Sequence, residues 1–142
     1  MVIYMTSEIL RQTLSFQLSF SSGVPAYLQI VQQVEQALRM GALKAGDRLP
    51  TVKEVASEVA INPNTVVKAY RELEVQGLIE GRQGIGTFAV RRPSGPPPST
   101  QLRLARSLDR WVRAARNAGL DEAAIDALMR SALQGRSKEG AA

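Results

Sequence analysis

The stretch Thr51-Val52-Lys53-Glu54-Val55-Ala56-Ser57-Glu58-Val59-Ala60-Ile61-Asn62-Pro63-Asn64-Thr65-Val66-Val67-Lys68-Ala69-Tyr70-Arg71-Glu72-Leu73 decides the fold. It holds two helix starts with almost no chain between them. Thr51 and Glu54 have capping-box spacing, in which the Thr hydroxyl bonds the Glu54 amide and the Glu carboxylate reaches back. Val52, Val55, Ala56 and Val59 then form the apolar side of a short helix. Asn62 supplies a second N-cap and Pro63 sits at the first helical position, where its missing N–H costs nothing. Val66, Ala69, Tyr70 and Leu73 recur at three- and four-residue steps, so they form the buried side of the second helix. Gly77 ends it, and Leu78 can fold back on it. Two helices joined by so tight a turn are a helix-turn-helix.

Upstream, Tyr27, Ile30, Val31, Val34, Ala37 and Leu38 predict an amphipathic helix from Pro25 to Met40, stopped by Gly41. Before it, Leu14, Phe16, Leu18 and Phe20 alternate with Ser15, Gln17 and Ser19, which predicts a half-buried strand over Thr13–Ser22. Leu43 to Pro50 reads as a loop. Downstream, Leu78–Arg82 and Thr87–Val90 are β-prone runs around the tip Gln83-Gly84-Ile85-Gly86, which predicts a hairpin, or wing. Pro93, Pro96, Pro97 and Pro98 mark a semi-rigid linker. Beyond it, Leu104, Ala105, Leu108, Trp111, Val112 and Ala115 line one helix, and Ile125, Leu128, Met129, Ala132 and Leu133 line another. Asp121 is the expected N-cap of the second.

Composition narrows the function. The 142 residues include no Cys and no His, which removes disulfides, Cys/His zinc sites, thiol nucleophiles and His-based triads. The scattered carboxylates form no evident pair; Asp47 and Glu54 read as a turn former and a capping residue. No cofactor, metal or catalysis is expected. Apolar runs are too short to span a bilayer and no secretory signal is visible, so a cytoplasmic protein without membrane attachment is expected. The formal charge of +5 suggests an anionic partner.

On the second helix of the motif, Asn64, Lys68, Arg71 and Val75 lie opposite the apolar stripe. A helix entering the major groove presents its N-terminal side chains to base edges. Asn64 can bond adenine bidentately, Thr65 can offer a hydroxyl and a methyl group, and Asn62 serves chiefly as the cap. Lys68 and Arg71 suit phosphates. The glycines after Ile79 precede a strand and lack a following Lys-Ser/Thr, so they form a turn and not a nucleotide loop. Arg82 can enter a narrow minor groove. Arg103, Arg106, Arg110 and Arg113 read as the solvated face of an amphipathic helix.

Taken in order, Pro25-Ala26-Tyr27-Leu28-Gln29-Ile30, Gly41 to Thr51, Asn62-Pro63-Asn64-Thr65-Val66, Tyr70 to Glu74, Gly77-Leu78-Ile79 and Gly84-Ile85-Gly86-Thr87-Phe88 resemble the GntR family of bacterial winged-helix regulators. The Asn-Pro-Asn-Thr helix start and the short tail look most like its YtrA-type subfamily. The resemblance implies a homodimeric repressor of transporter operons and of its own gene. It also implies Arg48, Thr51 and Lys53 near phosphates, Asn62, Asn64, Thr65 and Lys68 in the major groove, and Arg82, Gln83 and Gly84 on the wing. Pro63 departs from the pattern, because many members carry a basic residue there. Base readout then rests more on Asn64 and Thr65.

The expected fold class is mainly α: an α+β winged helix-turn-helix followed by a two-helix dimerisation hairpin. Expected boundaries are 1–92 for the strand and winged helix (the family motif over about 24–92), 93–99 for the linker, 100–135 for the hairpin and 136–142 for a disordered tail. The larger effector-binding domains of other subfamilies are not expected in residues 100–142. Leu104, Leu108, Trp111, Val112, Ile125, Leu128 and Met129 are the expected dimerisation face, since two such helices cannot enclose a core alone. The expected function is a dimeric repressor on an inverted-repeat operator in double-stranded DNA. The rival is a winged helix used for protein interaction, because a fold does not by itself decide function.

Overall fold

A computed structural model describes residues 14–141, with side chains described as far as residue 135. Five helices and one hairpin follow in the order α1 (Ala26–Met40), α2 (Val52–Val59), α3 (Pro63–Val75), β1 (Ile79–Arg82), β2 (Gly86–Ala89), α4 (Pro98–Asn117) and α5 (Glu122–Ala141). The chain divides into two compact units after Ser99.

In the first unit, α3 packs on α1, α2 and β1. Its buried stripe is Val66, Ala69, Tyr70 and Leu73, as the periodicity predicts. Thr51 Oγ1 accepts from the Glu54 amide at 3.1 Å, and Asn62 Oδ1 accepts from the Asn64 amide at 2.9 Å. Among the described residues, the return bond from Glu54 to the Thr51 amide is not made, so the capping box is half formed. Ala60 turns the chain from α2 toward α3 with φ 54°, a left-handed conformation unusual for a residue with a Cβ. At the other end of α3, Gly77 at φ 74° lets its amide bond Glu74 O and the Leu78 amide bond Leu73 O, a Schellman ending. Arg91 adds a guanidinium bond to Gln76 O at 2.6 Å, a cation at the negative end of the helix.

β1 and β2 pair antiparallel, Ile79 opposite Ala89 and Arg82 opposite Gly86. The stretch read as a loop contributes a third edge. The Leu49 amide bonds Thr87 O, and Asp47 and Ala89 are joined through Ala89 N, with Arg48 bridged to Phe88. Tyr70 ties the same segment to α3, its hydroxyl donating to Pro50 O. Burial, and secondarily the Glu54 carboxylate, hold that phenol protonated well above the usual tyrosine range.

The N-terminal strand is corrected. Leu14 and Phe16 are buried and Leu18 is half-buried, so the alternation holds, but the segment pairs with no strand among the described residues. Two glutamines of α1 take the strand's place. Gln33 accepts from Gln17 N and donates to Gln17 O at 3.0 and 2.7 Å, and Gln29 does the same for Ser19 at 2.8 and 2.7 Å. One helical turn, about 5.4 Å, nearly matches two extended residues, about 6.6 Å, so side-chain amides at i and i+4 satisfy alternate peptides. Phe20 lies past this clamp and is 77% exposed.

The linker is shorter than expected, because Pro98 and Ser99 already belong to α4; proline is compatible with a first helical turn. In the second unit, Gly119 at φ 101° ends α4 with the same Schellman pair, and Asp121 Oδ1 caps α5 through Ala124 N at 2.8 Å. The expected disordered tail is corrected as well: α5 runs to Ala141, since Gln134 to Glu139 are mostly ordinary helix formers and one glycine costs only about 1 kcal/mol. Among the described residues no helix is long and apolar enough to cross a membrane.

Candidate nucleic-acid interface

The tight α2–α3 connection leaves the outer side of α3 uncovered. Asn64, Lys68, Arg71 and Val75 are all exposed there, and Thr65 is half-buried at its edge. Asn64 makes no side-chain hydrogen bond among the described residues, so its amide keeps both donor and acceptor for a base edge. Asn62 is different. Its Oδ1 is committed to the cap, and only its NH2 donors remain. The same logic applies to Thr51, whose oxygen accepts from Glu54 while its hydroxyl hydrogen is still available to an acceptor. A leftover donor suits a phosphate oxygen better than it suits a base that must be read from both sides. Lys53 is exposed on α2 beside these caps.

Lys68 is more constrained than the sequence suggests. Its Nζ lies 4.0 Å from the centroid of the Tyr27 ring on α1. That cation–π contact aims the ammonium and draws Tyr27 into the interface, a residue the sequence reading used only as core. Residues 27 and 68 belong to different helices, so only the packing of α1 on α3 could reveal the pair.

The wing brings Arg48, Arg82, Gln83 and Gly84 together around an open, probe-sized concavity with Ile85, Gly86 and Thr87. Gly86 has a reason to lack a side chain. At φ 143° an added Cβ would lie 2.8 Å from Arg48 Nε, so the guanidinium rests directly against the glycine backbone. Arg82 is not loose, as expected for a side chain probing a groove. Glu80 holds it at 2.9 and 3.0 Å, and its guanidinium lies 4.7 Å from the Phe88 centroid. The pair is half-exposed, so its attraction is screened and reversible.

The expected dimerisation face divides. Leu104, Leu108, Trp111 and Leu128 are exposed and Val112 and Met129 are half-buried, but Ile125 is only 6% exposed within one copy. Ile125 is therefore removed from that face; it already has cover three residues after the turn into α5. Among the described residues no His, Cys, Asp and Glu cluster could hold a metal.

Comparison with known proteins supplies context for this geometry. The sequence profile described as "Bacterial regulatory proteins, gntR family" matches residues 26–89. The chain is 47% identical over 72 residues to the HTH-type transcriptional repressor YtrA of Bacillus subtilis (strain 168), covering 51% of this chain and 55% of that protein. It is 38% identical over 99 residues to the HTH-type transcriptional regulator Rv1152 of Mycobacterium tuberculosis (strain ATCC 25618 / H37Rv), covering 70% and 78% respectively. Among solved structures, YtrA from Sulfolobus acidocaldarius, described as a GntR-family transcription factor, is 31% identical with a TM-score of 0.50, covering 67% of this chain and 98% of that one. The chain spans about half the length of the first of these relatives.

Proposed function

The chain belongs to the GntR family of bacterial regulatory proteins, and from that premise we propose that it is a sequence-specific regulator of transcription, a dimeric repressor bound to double-stranded DNA. One observation carries the reading. α3 exposes Asn64, Lys68 and Arg71 opposite its buried stripe, and the hairpin that follows gathers Arg48 and Arg82 at its edge. α3 enters the major groove. Asn64 and Thr65 read base edges; Lys68, steadied by Tyr27, and Arg71 bind phosphates. Asn62, Thr51 and Lys53 add donors at the start of α2 and α3, and the wing, through Arg48, Arg82, Gln83 and Gly84, approaches the neighbouring backbone. Blocking an operator requires binding alone, so the protein works in the cytoplasm without catalysis. Two copies joined through Leu104, Leu108, Trp111, Val112, Leu128 and Met129 present two recognition helices to an inverted repeat.

Selection of bound duplexes from a random pool by the full chain tests this. The expected result is one inverted-repeat motif, its half-sites about one helical turn of DNA apart or a multiple of it. A pool with no enriched motif overturns sequence-specific regulation, and enrichment of isolated half-sites overturns the paired arrangement.

A further inference from the structure

The charge that points to an anionic partner is not where the recognition helix is. Residues 26–89 contain seven Lys or Arg and seven Asp or Glu, a net charge of zero. Residues 91–116 contain seven Arg against the single acid Asp109, a net charge of +6. The winged helix by itself exerts no monopole attraction on a polyanion, and the arginines that follow it must supply that attraction.

α4 carries five of those arginines, all exposed. Arg103, Arg106 and Arg110 fall within about 60° of arc, on the side opposite Leu104, Leu108 and Trp111. Arg113 is paired with Asp109 at 3.1 Å; among the described residues the other four make no ion pair. Keeping an amphipathic helix soluble does not require this. α5, the next helix, does so with three acids and three bases and a net charge of zero. The choice of cation is also one-sided, since α4 has five Arg and no Lys. A planar guanidinium fork binds a phosphate through two parallel hydrogen bonds, which a solvated charge has no need of.

We propose that the Arg103–Arg106–Arg110 face of α4 is a second nucleic-acid surface, which grips the phosphate backbone of duplex DNA without reading its sequence. The inference rests on the DNA-binding function proposed above. Residues 91–97 tie α4 directly to the winged helix, so once α3 is seated the second engagement is intramolecular and needs little intrinsic affinity. The division of labour is then physical. The neutral unit reads sequence, and the arginine helix provides salt-sensitive attraction to any duplex.

The test compares the full chain with the triple variant Arg103→Gln, Arg106→Gln, Arg110→Gln, chosen because glutamine keeps the helix propensity. Both are titrated with salt on a long duplex containing the selected motif and on one lacking it. Three lost phosphate contacts lower the slope of log affinity against log salt by about 2.7, so between about 50 and 200 mM salt the parent loses roughly forty-fold more affinity than the variant. The loss is expected on both duplexes, with base preference and sedimentation unchanged. An unaltered salt slope overturns the proposal while leaving the regulator reading intact. So does a variant that sediments differently, which assigns the arginines to the contact between copies. Equal slopes with binding to phosphatidylserine vesicles that the variant loses make the face a membrane surface and overturn it too. A parent that prefers neither duplex undermines the regulator reading itself.

Discussion

The two units solve the same problem of apolar surface in opposite ways. The winged helix closes its own core: Ile30, Val34, Leu38, Leu43, Val55, Val66 and Leu73 are completely buried, and Leu14 and Phe16 are drawn in from before α1. The tail has comparable helix length and capping, yet it buries only Ala115 and Ile125 and leaves Leu104, Leu108, Trp111, Leu128 and Leu133 exposed. Both units use a Schellman glycine and an N-cap carboxylate or amide, so local signals do not separate them. What separates them is the number of elements that share one core. Three helices and a hairpin can surround a centre, whereas two helices that scarcely touch along their lengths cannot. A unit of the second kind is complete only with a partner.

Substitutions can break that contrast. Leu73→Ala should cost the first unit about 2–5 kcal/mol in urea unfolding, because a fully buried leucine leaves a cavity among fixed neighbours. A loss below about 1 kcal/mol would mean that this core is not closed. Trp111→Ala should leave that unfolding transition unchanged and weaken self-association by at least about thirty-fold, the range of an aromatic anchor at a contact centre. A concentration series in sedimentation equilibrium measures it, and an unshifted dimer constant would show that the tail pairs through another face or not at all.

Within the winged helix, Asn64→Ala sharpens the distinction between reading and folding. It should lose about 1–3 kcal/mol of discrimination at one base of each half-site and none of the unfolding free energy. Retained base preference in a repeated selection would return Asn64 to the solvated surface. The smallest effect is a gain. Ala60→Gly relieves a left-handed residue that costs about 1–2 kcal/mol and gives back part of that as added freedom of the unfolded chain. A net stabilisation of about 0.5–1 kcal/mol is expected, and a destabilised variant would show that the turn between α2 and α3 is not strained.

Most of this architecture was legible in the sequence wherever a signal is local. Thr51, Asn62 and Asp121 cap the helices that their positions announce, and the α3 stripe is read from spacing alone. The strand reading of 13–22 recognised the alternation but not its partner, since a period of two reports which side chains are buried and says nothing about what bonds the backbone. Gln29 and Gln33 could have been noticed as amides one turn apart, although nothing in the sequence aims them at Gln17 and Ser19. The Lys68–Tyr27 and Arg48–Gly86 contacts were invisible for the same reason: each joins distant segments through packing. Ile125 was misassigned because helical periodicity cannot distinguish an apolar residue covered within its own chain from one awaiting another copy.

The central claim is that a self-contained reading unit is made effective by a tail that needs a partner. It is tested most directly by the number of chains bound to one selected duplex, measured by sedimentation of the full chain with that duplex. Two chains per duplex, bound together without an accumulating one-chain complex, is the predicted result. One chain per duplex, retained when protein is in excess, would contradict it.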